Sequence, residues 1–376
     1  MNAKSSIPVL WSETTLAHRP DREVWIGMPL DSSELPQRVT VIEQALRSAG
    51  HPFVEATAHT DAALCTVHAP ELVRHLSTVY GAWVDGGFVD LGQDRVVPYF
   101  FPTAAMLGPI PPTDAGSVHA AAGQFCYDTM TTVGPGSWEA IRAAADCALT
   151  AADLVVSGQT RQAYALCRPP GHHVTRDAYG GSCYLNNAAL AAQALIEGGH
   201  EHVAVIDVDA HHGNGTAAIF YERPDVFYGS VHVDPGAGWF PHVVGHASET
   251  GSGAGAGTTV NLPLAPGSGD GAFLDGVRRL ADGVRQHGST ALVVSLGVDA
   301  AADDPESPLQ VTLDGYAQAG ASILGDLDLP TVVVQEGGGR LPSPDPGSPR
   351  RGLPLRLTSI PKASPAANYT ELSDQF

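Results

Sequence analysis

The sequence predicts an α/β fold, a single domain built on a parallel β-sheet flanked by helices on both faces. Three observations carry this. From Gly136 onward, short apolar runs alternate with segments of helical period, the order that builds a parallel sheet. The clearest runs are continuous in apolar residues rather than alternating, as strands covered on both faces require. Polar residues crowd the C-terminal ends of these runs, where open α/β sheets place their ligand sites.

In chain order, Arg38–Ala49 and Pro70–Val84 carry apolar residues at helical spacing, and Gly50 can stop the first. Residues 85–135 are rich in Gly, Pro and aromatics, which predicts a long loop of the kind that forms lids, rims or subunit contacts. Ser137 is the expected cap of an Ala-rich helix to about Ser157, with Glu139 in its first turn. A strand at Ala163–Cys167 leads into R-P-P-G-H-H (168–173). The glycine-rich Y-G-G-S-C-Y-L-N-N (179–187) opens a helix to about Glu197. Val203–Ile206, Val226–Val231, Thr259–Leu262, Ala291–Leu296 and Thr331–Val334 read as strands, with helices at Gly271–His287 and Leu313–Leu327. No internal repeat is visible. The organisation expected is a domain over 1–340 with a loop-rich insertion at about 85–135, then an irregular or disordered tail at 341–376, which holds seven prolines and no sustained period.

Composition narrows the function. With 20 Lys+Arg against 40 Asp+Glu, the formal charge of −20 argues against nucleic acid, whose backbone needs basic patches. It is compatible with a cationic substrate. The five cysteines form no C-x-x-C pair, which fits reduced thiols in a cytoplasmic protein. No N-terminal apolar region and no run of about 18 apolar residues occurs, so neither a signal peptide nor a membrane span is expected.

The strand ends hold the chemistry. Val203–Ile206 passes into D-V-D-A-H-H-G-N-G, where Asp209 and His211, two residues apart just past a strand, can turn toward one point and offer oxygen and nitrogen to a divalent metal such as zinc. A lone Asp-x-His is more often a solvated turn. Here, however, His172 and His173 follow one predicted strand, Asp299 follows another and Glu336 a third. In a parallel sheet these ends converge on one rim.

Taken in order, R-P-P-G-H-H, G-G-S-C-Y-L-N-N, D-V-D-A-H-H-G-N-G, L-G-V-D (296–299) and Q-E-G-G (335–338) resemble the zinc-dependent histone deacetylase family, over about residues 10–338. P-H-V-V-G-H-A-S-E-T-G-S-G-A-G-A-G (241–257) and N-L-P-L-A-P-G (261–267) are similar to its bacterial acetylpolyamine amidohydrolase branch. The resemblance implies the arginase/deacetylase three-layer α/β/α fold and one catalytic zinc held by Asp209, His211 and Asp299, with a position left open for the reaction. It implies His173 as general base and later acid, with His172 contributing electrostatics. Asp207 and Asn214 would hydrogen-bond these imidazoles and fix their tautomers. Asp207, Ser230 and Val231 match positions that hold a monovalent cation, usually potassium, in this family; strand-end hydrogen bonding accounts for them equally well. Gly181 would accept a hydrogen bond from the substrate amide, and Phe240 would line the acyl tunnel. The substrate implied is a small N-acetylated amine, a polyamine in preference to an acetyl-lysine protein, and loops like 85–135 imply a homodimer. A binuclear arginase-type hydrolase fits less well, because the tandem-histidine motif belongs to the mononuclear deacetylases.

Two departures stand out. Ser182 replaces the aromatic that usually precedes the cysteine, which predicts a wider or more polar channel able to take an acyl group bulkier than acetyl. Where the family reads E-G-G-Tyr, this chain reads Glu336-Gly337-Gly338-Gly339-Arg340, so the hydroxyl that would donate to the developing oxyanion is missing from its position. The loss of motif and of helical period at one place points to a shifted reading frame near Gly338 or Gly339. The alternative is a true variant that binds metal and ligand but hydrolyses poorly.

Overall fold

The computed structural model describes residues 6–111, 113 and 115–338. Its centre is one sheet of eight strands, every neighbouring pair parallel: β1 (Val9–Trp11), β4 (Phe53–Glu55), β5 (Gln162–Ala165), β6 (Val203–Asp207), β7 (Val226–Val233), β8 (Thr259–Leu264), β9 (Ala291–Leu296) and β10 (Thr331–Gln335), in the order β4-β1-β5-β10-β9-β6-β7-β8. A separate antiparallel hairpin joins β2 (Arg22–Trp25) to β3 (Met28–Asp31).

Successive side chains of the central strands serve two different cores, the period-2 consequence of the pleat. On β6, Val203 and Val205 face one cluster while Ala204 and Ile206 face the other; β9 divides Val293 from Leu292 and Val294 in the same way. The first cluster lies under α6 (Ser137–Val156) and α7 (Asn187–Glu197), whose many alanines let the backbones approach closely. The second lies under α9 (Asp270–His287) and α10 (Leu313–Gly320), with Val39 and Leu46 of α1 (Pro36–Ser48). This is the predicted sheet with a helical layer on each face. After the single turn α2 (Asp61–Leu64), helix α3 (Pro70–Asp85) closes one end through Leu72, Leu76 and Trp83.

The predicted elements occur within a few residues of their expected ends, and the differences have local causes. Gly136, in the left-handed conformation, is the N-cap of α6, and Ser137 is the first helical residue. Its hydroxyl instead accepts from the Gly134 N–H and lies 2.9 Å from His18 Nδ1. The expected strand Ala163–Cys167 stops at Ala165, and the Cys167 thiol donates to the Ala144 carbonyl. The long last helix is α10 followed by a π-helical turn over Ala321–Asp326, in a stretch where Gly315, Gly320 and Gly325 weaken α-helical preference. Within the expected loop 85–135 lie α4 (Ala104–Leu107), α5 (Val118–Phe125) and a bridge between Val96 and Val133. Strands β1 and β4, three residues each, are too short to show a period. Gly339, Arg340 and the predicted tail 341–376 lie outside the described residues. Among the described residues no helix is long and apolar enough to cross a membrane.

Candidate metal centre

Four strands deliver the site. β6 ends at Asp207, and the chain turns at once through Asp209 and His211 into α8 (Asn214–Phe220), which starts at the Gly-Asn-Gly. β9 delivers Asp299, β10 delivers Glu336, and the turn after β5 delivers His172 and His173.

Asp209, His211 and Asp299 each offer one ligand atom within 4.8 Å of the others. His211 Nδ1 lies 2.8 Å from Asp299 Oδ2 and 3.2 Å from Asp209 Oδ1. Both carboxylates are held by main-chain donors: Ala210 N–H to Asp299 Oδ1, and His211 and Gly337 N–H to the two oxygens of Asp209. Gly297 and Gly337 are required here, since a Cβ on either would strike the Asp209 carboxylate at 2.1 and 2.6 Å. Burial, then the like charge of Asp209, pushes Asp299 up to about 6. Two buried carboxylates converging on one imidazole nitrogen are therefore short of positive charge, and a divalent cation with oxygen and nitrogen ligands fits the donor set.

The tandem histidines sit side by side, ring centroids 4.0 Å apart, and are held differently. His172 Nδ1–H donates to Asp207 Oδ2 at 3.0 Å. Burial opposes its charge, but Asp209 and Asp207 outweigh that and raise it to about 10. His173 Nδ1–H donates to the neutral carboxamide oxygen of Asn214 at 2.7 Å, which leaves Nε2 as the free acceptor. Burial and the neighbouring His172 and His211 hold His173 well below the usual histidine range. The Tyr127 hydroxyl also donates to the His173 carbonyl at 2.9 Å.

Gly181 and Phe240 flank His173. A Cβ on Gly181 would meet the His173 ring at 2.4 Å, and the Phe240 ring stands edge-on to His173 at 4.8 Å. The Gly181 N–H donates to Asp128 Oδ2, and Ser182, at φ 60°, donates its N–H to Thr131 Oγ1. Asp207 and Ser230 are register partners across β6 and β7. Asp207 already accepts from the Asp209 N–H and from the Tyr228 hydroxyl, and Ser230 Oγ lies 2.8 Å from His232 Nδ1. The side chain of Val231 is in the apolar core, so only its main chain faces any polar group.

Sequence reasoning assigns no role to a buried clamp beneath the site. Arg168 grips Glu34 with Nε at 3.0 Å and one Nη at 2.8 Å, and donates to the Thr15 and His18 carbonyls. Arg38 donates to the same Glu34, and also to the Glu336 and Gly338 carbonyls. Burial raises Glu34, but Arg168 and Arg38 prevail and hold it below its ordinary 4.5. The signal available was the i, i+4 spacing of Glu34 and Arg38 at a helix start.

Comparison with known proteins adds to this geometry. Residues 32–343 match the histone deacetylase domain. The chain is 38% identical over 340 residues to an acetylpolyamine amidohydrolase of Mycoplana ramosa, covering 89% of this chain and 95% of that one. It is 41% identical to an acetylpolyamine amidohydrolase of Burkholderia pseudomallei (strain 1710b), covering 85% and 90%. The crystal structure of an acetylpolyamine aminohydrolase from Burkholderia pseudomallei superposes with a TM-score of 0.83 at 39% identity, over 89% of this chain and 94% of that one. The chain belongs to the histone deacetylase family, hydrolytic enzymes that depend on a bound metal.

Proposed function

We propose that this chain is a zinc-dependent amidohydrolase that removes an acyl group, acetyl in the first instance, from N-acetylated polyamines. The observation that carries the reading is the convergence of Asp209, His211 and Asp299 beside a His173 whose Nε2 is left free to take a proton. Asp209, His211 and Asp299 would hold the zinc, which when bound would supply Lewis acidity for the hydrolysis. His173 Nε2 takes the proton of the attacking water and returns it to the leaving amine nitrogen. His172, tied to Asp207, supplies positive potential beside it. The Gly181 main chain would orient the substrate amide, and Phe240 would line the acyl channel, with the Ser182 side left open for a bulkier group. The formal charge of −20 suits a cationic amine. We further assign potassium to Asp207, Ser230 and Val231, a homodimer contact to the 85–135 region, a cytoplasmic setting, and a catalytic domain over 1–340.

Turnover of acetylputrescine, acetylspermidine and an acetyl-lysine peptide, with and without zinc, tests this. We expect zinc-dependent release of acetate from the polyamines; turnover of the peptide alone would make the chain a protein lysine deacetylase.

A second reading rests on Gly339. Without the family tyrosine, one oxyanion donor is missing, and such a loss typically costs about 3–4 kcal/mol, roughly a thousandfold in rate. The chain would then be a weakly active or non-catalytic metal-binding homologue. One zinc per chain with no turnover of any acyl substrate supports it. The matching prediction is that Gly339→Tyr raises kcat by about 100-fold or more. Sequencing the locus decides whether another frame restores E-G-G-Tyr.

A further inference from the structure

We propose that Glu336 is a positioning residue for the tandem-histidine turn, holding His172 and His173 in register with the metal centre. The inference rests on the reading of His173 as proton carrier.

The main-chain ladder between β5 and β10 ends at Ala165 and Val334. Beyond it the chain enters Arg168-Pro169-Pro170, and the next two N–H groups, those of Gly171 and His172, have no strand to pair with. The Glu336 side chain crosses that gap. Its Oε2 accepts from Gly171 N–H at 2.7 Å and from His172 N–H at 3.1 Å, while Oε1 accepts from the Ser295 hydroxyl of β9 at 2.9 Å. The residue is 1% exposed, so these partners cannot be replaced by bulk water. Its own backbone is fixed as well: the N–H donates to the Leu296 carbonyl, and the carbonyl accepts from Arg38.

The turn is also wedged from the other side. A Cβ at Gly171 would lie 2.4 Å from the Leu185 carbonyl oxygen and 2.5 Å from the Asn187 nitrogen, so the backbone there has no slack. His172 is thus held at two points, its amide by Glu336 and its ring by Asp207, and its ring packs against that of His173. Releasing the first point lets the turn shift without removing any group that touches substrate. A displacement of about 1 Å at a reacting group can cost on the order of 100-fold in rate.

Two variants separate reach from charge. In Glu336→Gln the amide oxygen still accepts both N–H groups and the new NH2 can donate to Ser295. In Glu336→Asp the charge stays, but the side chain is one methylene too short to span the gap, and two buried donors lose their partner. We expect Glu336→Gln to keep a third or more of the kcat, and Glu336→Asp to lose about 30- to 100-fold with KM within about twofold. Zinc content should be unchanged in both. Ring 15N resonances of His172 and His173 should move in the Asp variant and not in the Gln variant. Wild-type kcat in Glu336→Asp, the reverse order of the two variants, or a loss of zinc that accounts for the loss of rate would each overturn the proposal. If the wild-type chain with zinc turns over no acyl amine, the functional reading fails instead, and the ring resonances alone decide whether Glu336 positions the turn.

Discussion

Two adjacent histidines are made chemically unlike by what surrounds them: the carboxylates of Asp209 and Asp207 raise His172, whereas burial and the neighbouring His172 and His211 lower His173, whose Nδ1 faces a carboxamide oxygen where that of His172 faces a carboxylate. A carboxylate favours imidazolium, whereas a carboxamide only fixes the tautomer. Asn214→Asp therefore raises the pKa of His173, so the base stays protonated to higher pH. We expect the acidic limb of the kcat/KM profile to move to higher pH in that variant, with the zinc content unchanged; a profile identical to wild type would remove His173 from the proton-carrying role. At this scale the sequence is highly legible. Asp209, His211, Asp299, His172, His173, Asp207 and Asn214 sit in short motifs at predicted strand ends, and strand ends on one edge of a parallel sheet must meet. Glu34, Arg38, Tyr127 and Asp128 are not legible, because each acts through a main-chain group or a partner more than forty residues away that no local pattern announces, Glu34 and Arg38 aside from their own i, i+4 contact.

Among elements, α1 and the turn after β5 are joined by one glutamate between two guanidinium groups. Removing one partner of such a buried group leaves unpaired charge, at about 3–5 kcal/mol. Glu34→Gln should lower the free energy of unfolding in urea by an amount of that order, and a loss near zero would show that the arginines find other partners. A second link ties the segment after β4 to α6. His59 reaches Asp146 with Nδ1 at 3.1 Å and Asp153 with Nε2 at 3.0 Å. The hydrogen bond to Asp146, opposed by partial burial and aided by Asp153, raises its pKa above 6.5. A raised folded-state pKa stabilises fully below the unfolded value and fades as pH climbs through the folded one. The melting temperature of His59→Gln should thus fall below wild type in mildly acidic buffer and approach it in alkaline buffer. Elements themselves are legible where they are long: α6 and α9 as helical segments and β6 and β9 as continuous apolar runs, while β1, β4 and the β2–β3 hairpin are fixed by tertiary pairing that a three- or four-residue segment cannot display.

For the whole molecule, charge and metal set the responses. A ligand bound only by the folded state stabilises it, by about 2.7 kcal/mol at a hundred times its dissociation constant. Chelation should lower the melting temperature and zinc restore it, whereas a melt indifferent to both would contradict a metal held at Asp209, His211 and Asp299. The formal charge of −20 predicts that KM for a cationic acyl-polyamine rises with ionic strength while that for an uncharged acyl amine does not. The strand order carries a consequence for how the protein is made. Among the described residues Thr331–Gln335 is the last strand to leave the ribosome, yet it lies between β5 and β9. Without it, half-sheets formed from β4-β1-β5 and from β9-β6-β7-β8 would each present a bare edge at what becomes the middle. Exposed edges of that kind recruit strands from other chains. Premature release before residue 331 leaves the arch without its keystone, and the two open edges turn an unfinished enzyme into a seed for aggregation.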